Sequence, residues 1–156
     1  MILKGVAQAM SPAGQEARLS ILIFHRVLPQ PDALFPNEPD EHRFDQVLTW
    51  LRRWFVVMPL SDALSRLQTG TLPARAAAIT FDDGYADNAS HALPILQRHG
   101  VVASFFVSTG FLDGGCLWND AVIESLRRCT RRVLDLRDAG LGIFLLETWS
   151  QKRQAV

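Results

Sequence analysis

The chain has little of what marks several functional classes. It holds two cysteines in 156 residues. Cys116 and Cys129 fit neither a C-x-x-C nor a zinc-finger spacing, which argues against a thiol-based metal ribbon and leaves a bridge between the two open. It carries no net charge, with 16 Lys+Arg against 16 Asp+Glu. No basic stripe stands out, so no nucleic-acid partner is expected. No apolar run reaches the length of a membrane span. Residues 1–18 lack the long apolar stretch of a secretory signal; they are read as a poorly ordered leader, and the expected compartment is the cytoplasm. Neither an internal repeat nor a low-complexity tract is present.

What is there suits a folded domain. Hydrophobic residues make up 48% and charged residues 21%, enough apolar content for a sizeable core and too little charge for a disordered chain. "LSILIF", 19–24, reads as a buried strand. Pro29, Pro31, Pro36 and Pro39 then rule out regular structure, so a long loop follows. Phe44, Val47, Leu48, Leu51, Trp54 and Phe55 recur at helical spacing. "VVMPL" is a short strand, and "LSDALSRLQTG" a helix capped by Ser61 and stopped by Gly70.

"RAAAITF" is apolar without alternation, as expected of a strand covered on both faces of a parallel sheet. After it, "YADNASHALPILQRHG" reads as a helix capped by Asp87 or Asn88, kinked or begun at Pro94 and ended by Gly100. "VVASFFV" is the next buried strand. "NDAVIESLRRC" is a helix capped by Asn119 or Asp120. The remainder holds one or two short strands and a helix beginning near Ser150. Strands alternating with helices predict a parallel α/β architecture.

Asp82 and Asp83 lie side by side where the most apolar strand stops. In parallel α/β folds ligands bind outside the carboxyl ends of the strands. Neighbouring side chains on an extended backbone diverge, so one carboxylate can hold a metal while the other faces substrate as a general base. Gly84 permits the sharp turn that follows. That division suits metal-assisted hydrolysis. The same residues also fit a plain turn and helix cap, since Asp-Gly is a common turn pair.

"AITFDDGYADN" with "ALPILQRHGVVASFFVSTGFL", preceded by "ILIFHRVLP", resembles the polysaccharide deacetylases, the NodB-homology carbohydrate esterases. "DDGYADN", "TGFLDGG" and the W-N-D at Trp118 are most similar to the bacterial deacetylases associated with exopolysaccharide synthesis. The resemblance runs from about Leu19 to Trp118 and more loosely to the end. It implies a distorted (β/α) barrel. It also implies a hydrolase of carbon–nitrogen bonds that removes acetyl groups from a polysaccharide, usually an N-acetylglucosamine polymer. Carried onto this chain, Asp82 is the general base and Asp83 a ligand of a divalent metal, often zinc.

The family completes its metal site with an H-x-x-x-H pair after the strand matching "SFFVSTGF". Here the histidines are His25, His42, His91 and His99, all earlier and none four apart. His42 reads as surface, and His91 and His99 as a solvated helix face. His25, at the carboxyl end of the first strand, could contact substrate at the site mouth. The family's later motifs are absent too, and "SQKRQAV" reads as helix turns with no stop signal. Residues 19–156 are therefore expected to be the N-terminal part of a deacetylase domain, a partial barrel of five or six strands. An open barrel edge would favour self-association.

A non-catalytic carbohydrate- or partner-binding fragment is the alternative. Tyr85, Phe111, Trp118 and the 29–42 loop could line a sugar groove, although core packing is the commoner fate of such aromatics. A phospho-receiver is set aside, because "SFFVSTG" offers no aspartate and the lysines are only Lys4 and Lys152.

Overall fold

The computed structural model describes residues 11–156. They divide into two compact units. One runs through Gln30 and resumes over Glu38–Ser108; the other comprises Pro31–Asn37 and Thr109–Val156. The sequence predicts a single domain over 19–156.

The first unit is built on β3 (Ala76–Phe81), whose six residues are all buried, as the unbroken apolar run predicts. β1 (Leu19–Phe24) lies parallel along one edge of β3, from Leu19 opposite Ala76 to Phe24 opposite Phe81. Two short strands share the other edge. β2 (Val56–Val57) pairs with Ala76 and Ala77, and β4 (Ser104–Phe105) with Thr80 and Phe81. All these pairings are parallel. Among the described residues the sheet is open and does not close into a barrel.

α1 (Glu41–Trp54) starts where the Asp40 carboxylate accepts from the Arg43 backbone N–H at 2.7 Å. Glu41 in its first turn and Arg52 and Arg53 in its last suit the helix dipole. Phe44, Leu48 and Leu51 form its buried stripe and pack with Val27, Ile79, Phe81, Ile95 and Leu96. α2 (Leu60–Gln68) begins right after Pro59, not at a Ser61 cap. Proline holds φ near the helical value and needs no N–H partner there. Gly70, at φ 66°, closes the exit.

After β3 the chain takes a π-helical turn, Asn88–Ala92, which runs into α3 (Leu93–His99). Pro94 marks the first turn of α3, and Gly100 at φ 61° ends it. Neither Asp87 nor Asn88 caps the helix through its side chain. His91 and His99 are not a solvated face. Nδ1 of His91 bonds Glu41 at 2.7 Å and Nε2 of His99 bonds Asp45 at 2.9 Å, tying α3 to α1. The His99 side chain is only 14% exposed. His42 is exposed, as expected, beside Gln46.

Three strand expectations fail in part. "LSILIF" forms its strand but is not buried: four of its residues are half-buried, and Ile21 and Ile23 are exposed. "VVMPL" yields two strand residues because Pro59 diverts the chain into α2. "VVASFFV" also yields two, and Phe105, Phe106 and Val107 are 39%, 53% and 49% exposed. Nothing among the described residues flanks β4 on its far edge.

Of the leader expected over 1–18, residues 1–10 lie outside the described residues. Residues 11–18 are hydrogen-bonded to and packed beside the rest of this unit. Arg75 N–H donates to Ser11 at 3.0 Å, Gly14 N–H donates to Leu72 at 3.0 Å, and Ala17 packs beside Ala63, Leu72 and Ala76.

In the second unit, α4 (Trp118–Arg128) begins without the side-chain cap expected from Asn119 or Asp120. β5 (Val133–Leu136) and β6 (Gly142–Leu145) form an antiparallel hairpin, Val133 opposite Leu145 through Leu136 opposite Gly142. The parallel architecture thus stops short of this pair, because a tight connection cannot make a parallel crossover. α5 (Trp149–Gln154) opens on a capping box between Thr148 and Gln151. The Arg127 guanidinium grips both oxygens of Asp32, at 2.9 and 2.6 Å. Both cysteines are free thiols.

Candidate active site

Phe24 and Phe81 face each other across β1 and β3, so His25 and Asp82 follow at the ends of neighbouring parallel strands. The Asp82 N–H donates to the Phe24 carbonyl at 2.9 Å, which extends the ladder by one bond and fixes the exit of β3. The next residue breaks the extended form. Asp83 sits at φ 70° and Gly84 at φ 76°. A non-glycine residue in the left-handed region is uncommon, although aspartate tolerates it better than most. Such a conformation persists only where the surroundings impose it.

β4 and the segment after it supply that constraint. The Asp83 carbonyl accepts from Ser108 N–H at 3.3 Å, with Ser108 Oγ 3.4 Å from Asp83 Oδ1. A Cβ on Gly84 would lie 2.8 Å from Val107 Cγ1 and 3.3 Å from Val107 Cα. The turn thus stands against Val107, its side-chain methyl nearest and its main chain just behind. Asp82 and Asp83 are both half-buried and His25 is exposed.

A second layer, unnoticed in the sequence, stands beside the turn. Arg26 Nε donates to Asp87 Oδ2 at 2.8 Å, and its guanidinium lies 4.7 Å from the centre of the Tyr85 ring. Asp87 is 9% exposed, while the Arg26 side chain is 38% exposed. The buried acid therefore aims a partly open cation across the half-buried tyrosine. The signal was in "FHRV": an arginine directly after the strand-end histidine, with an aspartate further along the turn that reads as an ordinary cap. Gly84, Tyr85, Asn88, Leu93, Phe105 and Val107 line an apolar cavity of about 280 Å³ on this unit.

The structure thus brings Asp82, Asp83, His25 and Tyr85 to one end of the parallel sheet. Trp118 belongs to the second unit, at the start of α4. It is 80% exposed, and Phe111 is 42% exposed, so neither is packed in a core as such aromatics commonly are.

The metal expected at Asp83 meets a shortage of donors. Among the described residues no three His, Cys, Asp or Glu side chains come together where they could hold an ion. A hydrolytic zinc site uses three protein ligands, so these residues alone do not fit one. Also among the described residues, no helix is long and apolar enough to cross a membrane.

Residues 69–150, more than half of the chain, match the family model described as polysaccharide deacetylase. YxkH of Bacillus subtilis (strain 168), whose name places it among polysaccharide deacetylases, is 29% identical over 93 residues; these cover 58% of this chain and 32% of YxkH. The solved structure of IcaB from Ammonifex degensii is 26% identical with a TM-score of 0.52, covering 75% of this chain and 50% of IcaB. Streptococcus pyogenes deacetylase PplD, solved with acetate, is 23% identical with a TM-score of 0.54, covering 70% of this chain and 52% of PplD. The latter likeness concerns the fold alone. The chain spans about a third of its curated relative and about half of these solved ones.

Proposed function

Since the chain belongs to the polysaccharide deacetylase family, we propose that its first unit carries the base-bearing half of a hydrolytic site acting on acetyl groups of a polysaccharide. Asp82 is the general base, taking a proton from the attacking water. Asp83 is one ligand of a divalent cation, with the remaining donors supplied from outside the described residues. The observation that carries the reading is the turn itself. Two adjacent carboxylates stand at the carboxyl end of a buried parallel strand, and the second is held at φ 70°. A turn serving only as a helix cap needs no such constraint, and neither Asp87 nor Asn88 does any capping.

The substrate class proposed is an N-acetylglucosamine-type polymer, with His25 and Tyr85 at the site mouth. The incomplete sheet is proposed as part of a larger barrel of the family type. The test is calorimetric titration of zinc into the chain and its Asp83→Ala variant, followed by acetate release from chitin oligomers. Binding lost in the variant supports Asp83 as a ligand. Equal binding by both removes it. Acetate release that survives Asp82→Asn removes Asp82 as the base.

A second reading is a non-catalytic glycan-binding fragment. It is favoured by Trp118, whose 80% exposure suits stacking against a sugar ring. Glycan binding that persists in a chelator and is lost in Trp118→Ala would select it over catalysis.

A further inference from the structure

A cavity of about 740 Å³ lies within the second unit, between the exit of α4 and the start of α5. Arg131, Arg132, Glu147, Thr148, Trp149 and Lys152 line it. The Leu146 N–H donates to the Arg132 carbonyl at 2.8 Å, which ties together the two segments that form it. Its size falls in the range of about 300–1,000 Å³ usual for ligand sites.

Three cations share this cavity with one carboxylate. Glu147 lies 3.8 Å from Arg132, too far for a direct hydrogen bond. Arg127, close by in sequence, is different, because Asp32 and Glu124 hold it. Among the described residues no carboxylate pairs with Arg131 or Lys152. Lys152 is nonetheless fixed. Its Nζ donates to the carbonyls of Arg127 at 3.2 Å and Cys129 at 2.7 Å, and stands 5.2 Å from the centre of the Trp149 ring. An ammonium has three N–H groups, so one is left over, and these neutral acceptors leave the charge uncompensated. The Trp149 ring beside it is 45% exposed. Thr148 Oγ1 accepts from the Gln151 N–H, which leaves its own proton to donate.

We infer that this cavity binds a carboxylate-bearing sugar unit of an acidic polysaccharide. The carboxylate takes charge-assisted hydrogen bonds from Arg131, Arg132 and the third N–H of Lys152. The apolar face of the sugar ring covers the exposed part of Trp149, and a ring hydroxyl accepts from Thr148. A free anion would leave the tryptophan uncovered and most of the cavity empty. A neutral sugar would leave three cations uncompensated. Packed chain is no better suited, since burying three cations against one carboxylate is costly. The inference goes beyond the deacetylase reading and uses neither Asp82 nor Asp83, so the two stand or fall separately.

Calorimetric titration of the chain, in chelator and at low salt, tests the site with three probes: tetragalacturonate, the neutral chitin tetramer and inorganic phosphate. Tetragalacturonate binds at least about tenfold tighter than either of the others. The double variant Arg131→Ala with Arg132→Ala loses at least about tenfold of that affinity. Its circular dichroism stays unchanged, because both side chains are exposed. Glu147→Gln removes the one carboxylate and binds tetragalacturonate tighter than the wild type. Asp82→Asn leaves the binding as it was. No binding of tetragalacturonate overturns the inference. Equal binding of the chitin tetramer does so too, because the carboxylate then goes unread, as does equal binding of phosphate, because the ring then does. Binding untouched by the double variant, or lost in Asp82→Asn, puts the ligand elsewhere and refutes the site. If the double variant misfolds, Glu147→Gln decides: unchanged or weaker binding refutes it.

Discussion

Gly84→Ala is the sharpest test of how the turn after β3 is held. Two penalties add. Alanine at φ 76° loses about 1–2 kcal/mol to the left-handed conformation. Its Cβ would also meet Val107 Cγ1 at 2.8 Å and Val107 Cα at 3.3 Å. The valine methyl can rotate aside, but the clash with the Val107 main chain is relieved only if the backbone after β4 yields. Val107 lies one residue before Ser108, whose N–H bonds the Asp83 carbonyl, so yielding there loosens the turn itself. Overpacking of this sort costs about 1–3 kcal/mol. The sum, about 2–5 kcal/mol, is a large share of the roughly 5–15 kcal/mol that holds a domain folded. It corresponds to a fall in Tm on the order of 10 °C. Thermal denaturation gives the total, and hydrogen exchange at Ala76–Phe81 reports the affected strand. A loss below about 0.5 kcal/mol, with exchange in β3 unchanged, would mean that neither the positive φ nor the packing against Val107 is imposed by the fold.

Four further outcomes are expected. Asp83→Gly relieves the left-handed strain and stabilises the chain by about 0.5–1 kcal/mol in urea denaturation, while removing the proposed metal contact in titration. Arg26→Ala strands the buried Asp87 carboxylate and costs about 2–3 kcal/mol; the double variant with Asp87→Ala recovers part of that in a double-mutant cycle. Acid weakens the fold. The Arg127 guanidinium holds the Asp32 carboxyl below its usual range, and His99, followed by Arg98, does the same for Asp45. Because these folded-state values lie under the unfolded value near about 4, their stabilisation is complete above it and is lost as pH falls through the folded values. Asp32→Asn should flatten that acid limb in a pH series of denaturation curves.

Much of the first unit is legible in the residues. Residues 76–81, "AAAITF", carry no charge and only Thr80 as a polar side chain, and "FDQVLTWLRR" carries its stripe at helical spacing, so β3 and α1 stand where the pattern puts them. The tandem aspartates at a strand end are visible for the same reason. The misses have local causes. Ser61 looks like a cap, but Pro59 starts the helix first. Asp87 looks like a cap, but Arg26 claims its carboxylate, a bond across 61 positions that no window of sequence contains. His91 and His99 look solvated because their acidic partners, Glu41 and Asp45, lie on another helix. The antiparallel sense of the Val133–Leu145 hairpin depends on the length of its connection, which apolar patterning does not weigh. The left-handed form of Asp83 is held by the segment after β4, where Ser108 bonds its carbonyl, and cannot be read from Asp-Asp-Gly alone.

Every pairing between strands in the first unit is made to β3, and β1, β2 and β4 make none with one another. Consequently the order of synthesis and the order of assembly cannot coincide. β1 and β2 leave the ribosome well before Ala76–Phe81, with no strand yet made for them to join. Helix α1 can form on its own account, but the sheet must wait for its centre, and Leu19 must then find Ala76 across a long intervening chain. Closing such a loop slows folding. Until β3 emerges, an uncharged "LSILIF" segment stays open to chaperones and to other nascent chains, so the yield of folded protein will depend on how fast residues 25–75 are translated.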